Sequence, residues 1–247
     1  MPPISVVMIT LNAELHLQKC LAALTAFEEI IVLDNGSTDK TLEIARSFAN
    51  VRIFQSEFLG FGQLKNKAAS IAANDWIFSI DSDEIAEDGL VKEILQRNWQ
   101  ENEMGEILRW NYYREKPIHA CGWANDWIPR IYHRKCTSFT NAKVHENLQT
   151  QAQTRLRLQG KLHHYSYQNV AGLIQKMQRY STLYAEIHQG KKSTNLLLIL
   201  LKTKLAFFKH YFLQKGIFYG YEGLLISLTN AMTTFYKYLK LRELSNQ

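Results

Sequence analysis

Residues 76–84 read WIFSIDSDE. A short apolar run long enough for one buried strand stops at a dense group of acids. Asp81 and Asp83 stand two residues apart at the strand's end. Carboxylates so placed can address one divalent cation, and Mg2+ or Mn2+ prefer oxygen ligands and complete their shell with substrate phosphates. The plainer reading is a solvated turn that opens the next helix, because acids suit a helix N-terminus. What lies on either side of this stretch decides between the two.

Moving upstream, residues 64–73 are Ala-rich and helical, 51–54 form a strand and 41–48 a helix. Residues 30–33 form another buried strand that runs into the turn-rich Asp34-Asn35-Gly36-Ser37. Residues 14–24 carry Leu17, Cys20, Leu21 and Leu24 on one helical side, and 4–9 (ISVVMI) form the first strand. Downstream, 90–98 form one more helix. Strand and helix alternating at this spacing predict βαβ units and a mainly parallel α/β sheet. In such sheets ligands bind beyond the carboxyl ends of the strands. Polar residues gather at those ends: Thr10 and Asn12, Asp34, then Asp81 and Asp83.

The composition agrees with a folded, reducing-compartment protein. The 247 residues are 46% hydrophobic, enough for one sizeable core, and the three cysteines form no CxxC pair, so neither a disulfide framework nor a zinc knuckle is expected. MPPISVVMIT has no basic leader region followed by a long apolar stretch, so no secretory signal is expected. The net charge of +6 is uneven. Residues 1–150 hold 15 Lys+Arg against 20 Asp+Glu, and residues 151–247 hold 14 against 3. A tail of +11 predicts a partner that is anionic: nucleic acid, phospholipid or a phosphorylated glycolipid.

Three segments in order, ISVVMITLNAE, IIVLDNGSTDKT and QLKNKAASIAANDWIFSIDSDE, resemble the family 2 glycosyltransferases of GT-A fold, a Rossmann-like nucleotide-binding architecture. The resemblance implies that Thr10, Glu14 and Asp34 hold a uridine, with Asn12 and Lys67 also on the nucleotide. It implies that Asp81 approaches the ribose and Asp83 the metal-bound diphosphate. From the residues themselves, Asn12, Asp39 and Thr41 also suit helix capping.

In the second half, Val144-His145-Glu146 and His163-His164-Tyr165, with the pattern around residues 208–223, resemble a narrower group: bacterial lipopolysaccharide core glucosyltransferases that modify heptose. The resemblance implies Glu146 as the general base and one of His145, His163 or His164 near a Mg2+ or Mn2+ ion held by Asp83. It further implies a UDP-sugar donor, UDP-glucose first, and a heptose acceptor on the lipopolysaccharide core. The expected organisation is a GT-A domain over 1–168 and a helical, basic extension over 169–247.

Within that extension, residues 196–213 read LLLILLKTKLAFFKHYFL, with an apolar run of only six before Lys202. A membrane span needs about 20, so the stretch predicts either an interfacial amphipathic helix on an anionic membrane surface or a helical cap packed on the catalytic domain. The first places the protein in the cytoplasm, peripheral on the inner face of the membrane. Two rival classes fit poorly. A nucleotidyltransferase wants a Gly-rich phosphate loop after the first strand, which TLNAEL lacks. A nucleic-acid binder wants aromatic and Arg surfaces, whereas this tail is rich in Leu and Lys, so no nucleic-acid partner is expected.

Overall fold

The computed structural model describes residues 2–140, 147–149, 153–190 and 195–245. In chain order it begins β1 (Ile4–Thr10), α1 (Glu14–Ala22), β2 (Glu29–Asp34), α2 (Thr41–Arg46), β3 (Val51–Gln55), α3 (Phe61–Ile71) and β4 (Trp76–Ser79). Then come β5 (Glu84–Ala86), α4 (Asp88–Gln96), β6 (Glu103–Tyr113), β7 (Lys116–Pro117), β8 (Asp126–His133) and β9 (Thr154–Tyr167). Three helices follow: α5 (Val170–His188), α6 (Leu196–Phe208), which runs on as a π-helical turn over Lys209–Leu213, and α7 (Gly220–Ser245).

The sheet order is β3-β2-β1-β4-β8-β6-β9-β5, with β7 hydrogen-bonded to β6. The pairs β1–β2, β2–β3 and β1–β4 are parallel, as the alternation predicts. Their run of apolar residues without polar alternation has a direct cause: helices cover both faces. Val6, Met8, Ile30, Val32 and Phe78 point into one buried cluster with Leu17 and Leu21 of α1 and with Leu24 just after it. Val7, Ile31, Leu33 and Ile77 point into the other with Leu64 and Ala68 of α3. Register sets Thr10 opposite Asp34, so the ends of the first two strands lie side by side.

Beyond β4 the sheet turns antiparallel. β8 pairs with β4 and β6, and β5 pairs with β9, setting Glu84 opposite His164. β6 and β8 fall within residues 103–133, beyond the strand–helix alternation that ends at the helix predicted over 90–98. Segments such as GEILRWNYY mix buried aromatic, amide and charged groups and carry neither period cleanly.

By compactness the chain divides into two units. One comprises residues 1–109 and 126–164, the other residues 110–125 and 165–247. In the second, α7 packs against both α5 and α6. Its tightest point is at two glycines: a Cβ on Gly223 would stand 1.9 Å from the Gly216 carbonyl oxygen, and one on Gly216 would press on Ser227 and Cys121.

Candidate active site

Two loops at the ends of β1 and β2 are knitted together. The amides of Asn12, Ala13 and Glu14 donate to the side chains of Ser37 (2.9 Å), Thr41 (2.7 Å) and Asp39 (3.1 Å). In return the amides of Thr38 and Lys40 donate to the Asn12 Oδ1 (2.9 Å) and the Glu14 Oε2 (3.0 Å). The first turn of α1 is thus capped by the neighbouring loop rather than by its own N-cap, Ala13. Asn12 sits at φ +51°, a left-handed position that Asn tolerates.

Asp34 is fully buried at the centre of this knot. Its Oδ1 accepts from the Thr10 and Ser37 hydroxyls and its Oδ2 from the Gly36 and Ser37 amides. Burial pushes its pKa up, yet these four donors outweigh burial and hold the carboxyl below its ordinary value. A carboxylate has about four acceptor sites. Asp34 is therefore saturated from within, and a nucleoside donor would have to replace one of these bonds.

The acidic turn after β4 is built as a chain of alternating charges. Lys65 Nζ lies 3.0 Å from Asp81 Oδ1, and Arg130 Nη2 bridges Asp81 Oδ2 and Glu84 Oε1. Arg109 continues the chain, with Nη1 at 3.2 Å from Glu84 and Nε and Nη2 at 2.8 Å from Asp126. Burial raises the Asp81 pKa, but Arg130 and Lys65 overcome that and hold it well below the usual carboxylate range. Arg130, from which burial alone would draw the proton, is pushed further up by Asp81 and Glu84.

Glu84 was not among the sequence-derived site residues. It is fully buried, and its second oxygen accepts the Asp81 amide at 3.0 Å, closing the turn on itself. From below, Cys20 of α1 donates its thiol to the carbonyls of Ser82 (3.0 Å) and Glu84 (2.8 Å). Burial first, then the charges of Asp83 and Glu84, push that thiol's pKa up, so it stays protonated and able to donate.

Asp83 differs from Asp81. Its side chain is 41% exposed, and His164 Nε2 lies 3.4 Å from its Oδ2. Burial opposes the lowering of its pKa and the attraction of His164 wins. His163, one residue earlier, turns to Glu87 at 3.2 Å. The structure thus brings Asp83 and His164 together, with Asp81 on the same turn.

Lys67 stands apart from the acidic turn: its Nζ donates to Ser56 at 2.8 Å on the exposed side of α3. The basic group at Asp81 is Lys65, two residues earlier and on the buried side of the helix. Asn66, between them, exchanges two hydrogen bonds of 2.9 Å with the backbone of Phe139. The helical face of α3, buried at Leu64, Lys65, Ala68 and Ala69, was the signal that separates the two lysines.

His145 and Glu146 lie outside the described residues. Among the described residues no group of three or more His, Cys, Asp and Glu is gathered as a metal cage. The Asp83–His164 pair fits a cation of the Mg2+ or Mn2+ type, which takes one or two protein ligands and fills its shell with phosphate and water.

Comparison with known proteins gives a consistent picture. Residues 5–169 match the profile of the family described as Glycosyl transferase family 2. An uncharacterized glycosyltransferase of Rickettsia bellii is 31% identical, the match covering 99% of this chain and 87% of the relative. The lipopolysaccharide core biosynthesis glycosyltransferase LpsC of Rhizobium meliloti is 27% identical over 94% of this chain and 89% of its own length. Among solved structures, Staphylococcus aureus TarS (residues 1–349, in complex with UDP-GlcNAc) shares the fold. It has a TM-score of 0.50 and 14% identity, over 99% of this chain and 90% of that one.

Proposed function

Because the chain belongs to glycosyl transferase family 2, we propose that it moves a hexose, glucose first, from a UDP-sugar to a heptose of the lipopolysaccharide inner core, with inversion at the anomeric carbon. One observation carries the chemistry: an open carboxylate, Asp83, paired with His164, beside a carboxylate already neutralised by Lys65 and Arg130. The likeness to LpsC over nearly the whole chain supports the acceptor.

In this reading the acceptor hydroxyl oxygen forms a bond to the anomeric carbon as the bond to the diphosphate oxygen breaks. Glu146 takes the hydroxyl proton and UDP leaves, so an α-linked donor gives a β-glycoside. A Mg2+ or Mn2+ ion, held by Asp83 with His164 or His145, would supply charge neutralisation for the leaving diphosphate. Asp81 serves the ribose and diphosphate end together with Lys65. Thr10, Asn12, Glu14 and Asp34 act mainly by holding the nucleoside loops in shape, with Thr10 and Asp34 nearest the uridine.

The acceptor is lipid-linked, so the enzyme works in the cytoplasm as a peripheral protein on the inner face of the membrane. The GT-A part over 1–168 carries the chemistry and residues 169–247 the attachment. The test is transfer from UDP-glucose to a heptose-bearing lipid A–core acceptor, read as the gain of one hexose in mass. UDP-galactose and UDP-GlcNAc serve as competing donors. Transfer from UDP-glucose supports the reading; transfer to a different acceptor only would move the protein to another surface glycan.

A further inference from the structure

The helices of the second unit expose an apolar surface where a soluble helix ordinarily shows polar groups. On α6 a single side chain, Ile199, is fully buried, and it faces the rest of the unit. The opposite face of the helix presents Leu197, Leu201, Leu205, Phe208 and, through the π-helical turn, Phe212. Their spacing of four, four, three and four residues puts them in one stripe. Leu197 is 76% exposed and Leu213, at the end of the turn, 69%. The segment leading into α7 continues the character with Phe218, 79% exposed, then Tyr221 and Leu224. Contiguous apolar surface of this kind marks an interaction site rather than ordinary scatter.

The formal charges along residues 187–221 are of one sign. Residues 187–221 contain no Asp or Glu, while Lys204, Lys209 and Lys215 are exposed along it. Lys202 is not among them, since its ammonium lies 4.2 Å from the centre of the Tyr238 ring within the unit. Apolar side chains flanked by cations, with the neighbouring acid Glu222 already paired with Lys116 at 2.8 Å, complement an anionic lipid surface. They do not complement a second copy of themselves, which would bring like charges together. No described helix is long and apolar enough to cross a membrane, so such a surface enters a bilayer from one side.

We infer that the outer face of α6, its π-helical turn and the segment entering α7 form a bilayer-docking surface. Leu201, Leu205, Phe208, Phe212 and Phe218 insert among the acyl chains, and Lys204, Lys209 and Lys215 sit at anionic headgroups. The inference deepens the peripheral placement proposed above by naming the surface, and it rests on that reading only for its purpose, because vesicle binding is measured without any sugar.

The experiment is flotation of the full chain with phosphatidylcholine vesicles, with and without phosphatidylglycerol, beside sedimentation of the protein alone. The wild type is expected on anionic vesicles and weakly on neutral ones. The variant Leu201→Ser/Leu205→Ser/Phe212→Ser replaces three exposed side chains and should lower partitioning on either vesicle by about tenfold or more, given the free energy of burying each group. Lys204→Gln/Lys209→Gln/Lys215→Gln should lose the preference for anionic lipid while keeping weak neutral binding. Donor hydrolysis should be unchanged in both. Wild type that ignores anionic vesicles at low salt would overturn the inference. So would a serine variant that floats like wild type, or a dimer that the serine variant dissociates while neither form floats. Vesicle binding with no transfer to the core acceptor would leave the surface standing and refute the acceptor instead.

Discussion

Arg130 holds Asp81 and Glu84 with one nitrogen: Nη2 stands 2.5 Å from Asp81 Oδ2 and 2.6 Å from Glu84 Oε1. All three belong to the acidic turn and to the strand β8 beside β4. The bridge therefore couples the parallel half of the sheet to the antiparallel half at the point where the chemistry is placed.

Glu84→Gln tests this coupling. The change keeps the side chain's shape but leaves Arg130 and Arg109 short of a buried counter-charge. Removing one partner of a buried ion pair costs about 3 kcal/mol or more, which for a chain of this size is a fall in Tm of roughly 10 °C. The double variant Glu84→Gln/Arg130→Met should recover part of that loss and remain inactive. A single variant as stable as wild type in a thermal scan would show that the chain of charges holds nothing in place.

Lys65 and Lys67 separate cleanly. Lys65→Ala should lower kcat/KM about 10²-fold, the scale of losing one fixed electrostatic contact to a developing charge, with Lys65→Arg recovering much of it. Lys67→Ala removes one exposed hydrogen bond to Ser56 and should change the rate by less than about threefold. Steady-state kinetics with the UDP-sugar read both. Equal losses would put both lysines at the nucleotide.

The acid limb of stability follows from the carboxylates. Asp34, Asp81 and Asp83 all have folded pKa values below their ordinary ones. A depressed carboxyl contributes stability that is present above the unfolded pKa, about 3.9, and is lost as pH falls toward the folded value. Tm should be level from pH 7 to about 5 and drop below about 4. In Asp34→Asn, which cannot titrate, Tm should be lower at pH 7 and its decline below pH 4 shallower. An equally steep acid decline would remove Asp34 from this account.

Glu146→Gln keeps the hydrogen-bonding shape but cannot take a proton at neutral pH. Transfer should fall about 10²-fold or more, the usual scale of general-base help, while donor affinity by calorimetry stays near that of wild type. Normal transfer would assign the base elsewhere. Asp126 is a poor substitute because Arg109 already holds it twice.

What the sequence disclosed follows from the periods involved. β1, β2 and β4 are buried on both faces, so their apolar runs and the turns after them stand out, and Thr10, Asp34, Asp81 and Asp83 were found at strand ends. Glu84 was in plain view in DSDE, yet nothing local says that Arg130, 46 positions later, will arrive beside it. Motif matching singled out Lys67 and passed over Lys65, whose burial with Leu64 and Ala68 on one face of α3 shows only once the helix is seen. β6 and β8 escaped because antiparallel strands lined with Arg, Trp and Tyr show no clean alternation. The tail read equally well as a packed cap or a lipid surface, since apolar residues on both sides of α6 satisfy either. Exposure of the Leu197–Phe212 stripe is a fact of packing that sequence periodicity does not carry.

The central claim is cation-assisted transfer from a UDP-sugar at the Asp83 end of the acidic turn. Its most direct measurement is hexose transfer from UDP-glucose to a heptose-bearing core acceptor by wild type and Asp83→Ala, with Mn2+, with Mg2+ and with EDTA. A thermal scan of each protein confirms that it is folded. The account predicts a β-linked glucose with wild type and metal, and no product with EDTA or with folded Asp83→Ala. Undiminished transfer in EDTA or by Asp83→Ala, or no transfer from any UDP-sugar by folded wild type, would contradict it.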